Sequence, residues 1–72
     1  MENLYYTIEK ETYPNGMENG LITINLYKIV GGELKRLPRL ETDTDSPYTY
    51  EEEIQEWVDE QGEQEEYNYI RL

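Results

Sequence analysis

The chain alternates apolar and polar positions with a period of two in three places, and each predicts a half-buried strand. The first two segments cover residues 4 to 10 and 21 to 30, and the Gly31-Gly32 loop that follows predicts a returning strand over residues 33 to 37. A third alternating segment, residues 67 to 72, predicts a last strand.

The connections between the first strands carry turn residues. Pro14 followed by Asn15 and Gly16 is a turn signature, and we expect residues 11 to 20 to form a surface loop. Gly31-Gly32 predicts a two-residue hairpin that places Leu26 opposite Leu37. The same register sets Lys28 opposite Lys35, a like-charge pair that costs up to about 1 kcal/mol. Residues 41 to 46 are polar and turn-prone, and Pro38 cannot donate to a ladder, so the third strand should end near it.

A single helix is predicted after this polar stretch. Tyr50, Ile54, Trp57 and Val58 follow the spacing i, i+4, i+7, i+8 and form one apolar stripe. Thr49 with Glu52 three residues later fits a capping box, and Gly62 provides the C-terminal stop.

These elements give the order β-β-β-α-β in a single domain, residues 1 to 72. We expect a small α+β fold with the helix on one face of a three- to four-stranded, mainly antiparallel sheet. The predicted core consists of the apolar residues on the inward faces: Leu4, Tyr6, Ile8, Ile22, Ile24, Leu26, Leu37, Ile54, Trp57, Val58 and Ile70.

Charge is distributed unequally along the chain. Residues 41 to 70 hold twelve Asp and Glu and no basic residue, whereas residues 1 to 40 balance five acids with five bases, and the net charge is −11. With no Cys and no His, disulfides and the usual zinc sites are excluded. There is no basic, apolar leader and no long apolar run, so we expect a cytoplasmic protein without a membrane span.

Such charge segregation destabilises a compact fold unless a partner uses it. On the predicted helix the acids point outward with a mean spacing near that of phosphates along one DNA strand, about 3.4 Å. This predicts a nucleic-acid mimic that blocks the basic surface of a DNA- or RNA-binding protein, without binding nucleic acid itself. In character the chain is similar to virus-encoded inhibitors that occupy the DNA site of a host enzyme. The expected contacts combine the acids with two tyrosines: Glu51, Glu52, Glu56, Asp59, Glu60, Glu63, Asp43, Asp45, Tyr67 and Tyr69.

One other interpretation stays open. The acids can form a solvated helix face that serves solubility only, in a structural or accessory module that assembles, for example as a homodimer, through its sheet edge and its Tyr side chains. We expect no enzyme and no cofactor, because no nucleophile, phosphate loop or cleft is indicated. The acids from Glu41 to Glu52 have the spacing of an EF-hand loop but lack its Gly, so a calcium site is not expected.

Overall fold

The computed structural model describes residues 2–62 and 66–72, which form a mixed sheet of five strands and one helix. In chain order the elements are β1 (Glu2–Thr12), β2 (Glu18–Val30), β3 (Glu33–Arg36), β4 (Leu40–Asp43), α1 (Tyr50–Glu60) and β5 (Tyr67–Arg71). The predicted α+β class is confirmed, with one more strand than the sequence pattern indicated.

Strand β2 is the centre of the sheet. Its thirteen residues pair antiparallel with β1 on one side, and with both β3 and β4 on the other. Strand β5 pairs parallel with β1, so the order is β3-β2-β1-β5, with β4 beside β2 next to β3.

Strands β3 and β4 are two parts of one interrupted edge strand. Arg36 pairs with Tyr27 and Leu40 pairs with Ile24. The step from Arg36 to Leu40 covers four residues, whereas the matching step along β2 covers only three. The extra residue lies around Pro38, which has no N–H for the ladder. Residues 41 to 46 were predicted to be a turn, and this is wrong for the first three, which belong to β4. Pairing with β2 outweighs their polar composition.

The Gly31-Gly32 hairpin has the predicted register. Lys28 lies opposite Lys35, and both glycines have positive φ, +61° and +80°, as a two-residue turn requires. The two ammonium groups have different acceptors, which relieves the like-charge pair. Lys35 Nζ lies 2.9 Å from Glu33 Oε2, and Lys28 Nζ donates to the Tyr67 hydroxyl at 2.8 Å.

The loop predicted over residues 11 to 20 is shorter in the structure. Strand β1 continues to Thr12 and β2 begins at Glu18. The turn between them is closed by the Gly16 N–H, which donates to the Tyr13 carbonyl at 2.8 Å. The ends of β1 and β2 that form this hairpin are polar. The hydrophobic pattern therefore could not show that the strands extend this far.

The core lies between α1 and one face of the sheet. Ile24, Leu26 and Ile54 have no exposed surface. The buried apolar cluster comprises Leu4, Tyr6, Ile22, Ile24, Leu26, Ile54, Val58 and Tyr67, with Ile8, Leu37, Leu40, Tyr50, Trp57 and Tyr69 packed against it.

The placement of Ile70 in the core is wrong. The parallel register sets Tyr69 beside Leu4 and Ile70 beside Tyr5. Because side chains alternate along a strand, Tyr67 and Tyr69 share the helix-covered face with Leu4, whereas Ile70 lies on the other face. Tyr67 is only 6% exposed and occupies the core position that the sequence pattern assigned to Ile70.

Candidate functional site: the acidic surface around the helix

The position of α1 is fixed at its N-terminus by the predicted capping box. The Thr49 hydroxyl accepts from the Glu52 N–H at 3.1 Å, and the Glu52 carboxylate accepts from the Thr49 N–H. The Glu53 carboxylate accepts from the Thr42 hydroxyl at 3.0 Å and also from the Ser46 hydroxyl. These bonds join the helix to β4 and to the turn that follows it.

The apolar stripe of α1 faces the sheet as predicted. Ile54 and Val58 are buried, and Tyr50 and Trp57 pack against the core from the sides. A helix turned in this way presents its remaining positions along two flanks and an outer surface.

The flank of α1 towards β5 carries Glu51, Gln55 and Asp59, at i, i+4 and i+8. The Tyr69 hydroxyl donates to Gln55 Oε1, and Gln55 Nε2 donates to Asp59 Oδ1 at 3.1 Å. Burial, followed by the negative charges of Asp59 and Glu51, raises the pKa of Tyr69 above its ordinary value of 10.0.

The opposite flank of α1 forms a shallow groove with β4, of about 210 Å³. Three α1 acids border a half-buried indole there: the groove is lined by Leu40, Glu41, Glu53, Glu56, Trp57 and Glu60. Glu41 pairs with Thr23, and strand alternation places its side chain on the sheet face away from the helix. The sequence pattern assigned Trp57 to the core and did not predict β4, whose position beside α1 forms this groove.

The predicted contact residues are divided among several surfaces. Five of them are exposed on α1: Glu51, Glu52, Glu56, Asp59 and Glu60. Asp43 and Asp45 are also exposed, but Asp43 pairs with Leu21, and strand alternation places its side chain on the face away from the helix. Glu63 lies outside the described residues. Tyr69 is half-buried, and Tyr67 is buried.

The acids of α1 differ from those of the first half in their pairing with cations. Within residues 2–62 and 66–72, all three ion pairs use carboxylates of the first half, namely Glu2, Glu18 and Glu33. The base of the second half, Arg71, lies over the Tyr50 ring with its Cζ 5.6 Å from the centroid. Negative charge on the helix is therefore not offset by adjacent ion pairs in the described part of the chain.

The chemistry that this surface can perform is electrostatic. In the described ranges, no group of three or more Asp or Glu side chains is arranged to hold a metal ion. Glu41 and Asp43 lie in a strand and Asp45 in a turn, so the EF-hand spacing does not form a calcium loop. No helix among the described residues is long and apolar enough to cross a membrane.

Comparison with known proteins gives no relative. No family model, no curated protein and no solved structure matches this chain. The functional argument therefore rests on the surface described above.

Proposed function

We propose that this protein binds the basic surface of a nucleic-acid-binding protein and occupies the place of the phosphate backbone. The observation that carries the proposal is the set of exposed α1 carboxylates, none of which takes part in the ion pairs of the described residues. An acidic helix with no interleaved Lys or Arg lacks the i, i+4 pairs that normally stabilise such a surface.

Charge density supports a phosphate-like role. The helix has eleven residues, or about 16 Å at about 1.5 Å per residue, and carries five exposed carboxylates from Glu51 to Glu60. One strand of DNA presents about five phosphates over the same length. The carboxylates lie on both flanks and on the outer surface, so the mimic resembles a charged ridge rather than a single line of phosphates.

A basic groove that accepts a nucleic acid accepts this ridge for the same reason. Its Lys and Arg side chains exchange bound counterions for carboxylates, and the acidic protein excludes nucleic acid by occupying the groove. Binding should weaken steeply with salt, because exposed charge pairs are screened beyond about 8 Å at physiological ionic strength.

The test is capture from a nuclease-treated lysate of the source organism, followed by elution with a salt gradient. We expect nucleic-acid-binding proteins to elute well below molar salt, and a short DNA or RNA duplex to displace them. The variant E51Q/E56Q/E60Q should lose this binding. The control E9Q/E18Q/E33Q changes the net charge equally and should keep it. A complex that survives molar salt, or that both variants weaken equally, contradicts the proposal.

A second candidate function is assembly of a structural or accessory module through the sheet edge, with the acids for solubility. The observation in its favour is that β5 ends the strand order. In this case the variant E51Q/E56Q/E60Q assembles normally, whereas replacing the half-buried Tyr69 with Ser disrupts assembly. Tyr67 does not serve as a probe, because its burial in the core makes any polar replacement a test of folding.

A further inference from the structure

The outer edge of β5 presents backbone groups to which no described strand pairs. The Leu72 N–H donates to the Tyr6 carbonyl at 2.9 Å. Peptide groups alternate in direction along a strand in a parallel pair, so residues 68 and 70 also point towards β1. The N–H and C=O groups of Tyr69 and Arg71 therefore point away from the sheet.

This edge lacks several of the devices that usually prevent strand addition. Natural edges are protected by Pro, by Lys, by bulges or by a covering segment. The described edge residues contain no Pro and no Lys, and their register with β1 is regular. Their one charge, on Arg71, is drawn to the helix side over the Tyr50 ring.

The helix flank beside this edge is acidic and fixed in position. Gln55 is held between the Tyr69 hydroxyl and the Asp59 carboxylate, and Glu51 lies one turn earlier. On the other face of the sheet, β5 shows the uncharged Asn68 and Ile70. The edge thus has one side that carries Glu51, Asp59 and the single cation Arg71, and one side without charge.

The spacing of this flank matches that of an added strand. Residues four apart on a helix rise by about 6 Å, and residues two apart in a strand by about 6.8 Å. Tyr69 contacts Gln55 and Arg71 lies over Tyr50, so α1 runs alongside β5 in the opposite direction. Side chains at positions i, i+2 and i+4 of a strand added beside β5 would therefore lie near the levels of Glu51, Gln55 and Asp59.

We propose that the outer edge of β5 binds an extended segment of a partner protein by strand addition, and that this segment carries Lys or Arg at positions i and i+4, facing Glu51 and Asp59. Main-chain hydrogen bonds supply the general affinity and the two basic side chains the selectivity, as in other strand-addition complexes. The inference rests on the proposed function only through the negative charge of α1. A second copy is disfavoured as the occupant, because pairing of two β5 edges brings two acidic flanks onto the same side of one sheet.

The test uses two synthetic seven-residue peptides of equal composition and charge. The matched peptide is acetyl-Thr-Lys-Val-Thr-Val-Lys-Thr-amide, with both Lys on one side of the strand. The control, acetyl-Thr-Lys-Val-Thr-Lys-Val-Thr-amide, has them on opposite sides. Titration into the ¹⁵N-labelled protein should shift the Tyr69 and Arg71 amides and slow their hydrogen exchange. The matched peptide makes one exposed ion pair more than the control, which predicts about twofold tighter binding.

Two protein variants separate the backbone from the charge. Protein made by chemical synthesis with an N-methyl group on the Tyr69 amide keeps every side chain and should lose peptide binding. The variant E51Q/D59N keeps the edge and should bind both peptides equally. It also serves as the test if the N-methylated protein does not fold.

Three results would overturn the inference: equal binding of both peptides by the unmodified protein, shifts confined to residues of α1, or protection of the Tyr69 amide by self-association. Each leaves the proposed function standing if a nucleic-acid duplex still displaces the captured partners. If the peptides bind by strand addition but a duplex does not displace the captured partners, the edge site is supported and the proposed function is contradicted.

Discussion

Lys28 Nζ donates a 2.8 Å hydrogen bond to the hydroxyl of Tyr67 and lies 4.7 Å from the centroid of the same ring. This contact joins the central strand β2 to β5 across β1. A double-mutant cycle with Lys28→Met and Tyr67→Phe isolates the bond to the hydroxyl, because Phe keeps the ring. We expect a coupling energy of about 1 kcal/mol in chemical denaturation. Additive effects of the two substitutions would mean that the bond contributes nothing to stability.

Tyr67, and not Ile70, occupies the core, so replacing each with Ala should lower the unfolding free energy by different amounts. Tyr67→Ala removes a buried aromatic ring and should destabilise the fold by about 3 kcal/mol or more. Ile70→Ala, on the sheet face away from the helix, should cost less than about 1.5 kcal/mol. Thermal unfolding followed by circular dichroism measures both. Equal losses would mean that both faces of β5 are buried to the same extent.

Glu53 and Glu56 form a matched pair of acids with different roles. Glu53→Ala removes the acceptor of the Thr42 and Ser46 hydroxyls and should cost about 1 to 2 kcal/mol. Glu56 is exposed, and Glu56→Ala should change stability by less than about 0.5 kcal/mol, with relief of repulsion favouring the variant. Both remove one negative charge, so a difference in unfolding free energy reports the hydrogen bonds of Glu53 together with its place in the first turn of α1. Equal effects would contradict this assignment.

Alkaline pH should destabilise the fold through two tyrosines. Burial raises the pKa of Tyr6 and of Tyr69 above 10.0, and negative charge from Glu51 adds to both shifts. Above pH 10 the unfolded chain loses these protons first, so the stability they contribute is complete below pH 10 and is lost as pH rises through the folded-state pKa values. Tyr69→Phe should flatten this decline. Spectrophotometric titration of the phenols checks the shifts, which are absent if all eight tyrosines ionise together.

Salt should raise the melting temperature of the isolated protein. Self-repulsion of a −11 chain destabilises the compact state, and raising ionic strength from about 0.01 M to about 0.15 M shortens the screening length from about 30 Å to about 8 Å. The variant E51Q/E56Q/E60Q should respond less. A flat response of the unmodified protein would mean that the carboxylates are too dispersed to interact.

Much of the fold was predictable because α1 covers only one face of the sheet. Because β1 and β2 are buried on one face, their sequences alternate apolar and polar residues. The capping box at Thr49 marks the start of the helix. Strand β4 was not predicted because its sequence has no apolar pattern. It forms because the backbone N–H and C=O groups of β2 pair with it. Strand β5 has apolar side chains on both faces, so its sequence does not show which face is buried. The parallel register with β1 decides this.

The candidate site was predicted in composition but not in shape. Sequence spacing placed the acids on the outside of α1. It could not show which flank meets β5 and which meets β4, because that choice depends on the strand order. Gln55 is uncharged and the sequence pattern gives it no role, yet its side chain joins the helix flank to the Tyr69 hydroxyl.

The pairing of β5 with β1 joins residues 65 positions apart, as in the bond between Asn68 and Asn3. The hairpins that include β2 join residues close in sequence, whereas the parallel pair of β5 and β1 joins the two ends of the chain. Contacts between residues far apart in sequence slow folding. We therefore expect the contacts between β5 and β1 to form late in folding, while β1 still has an open side. At that stage the molecule offers another chain a strand edge that its own β5 later occupies, so the speed of this last step sets its resistance to aggregation.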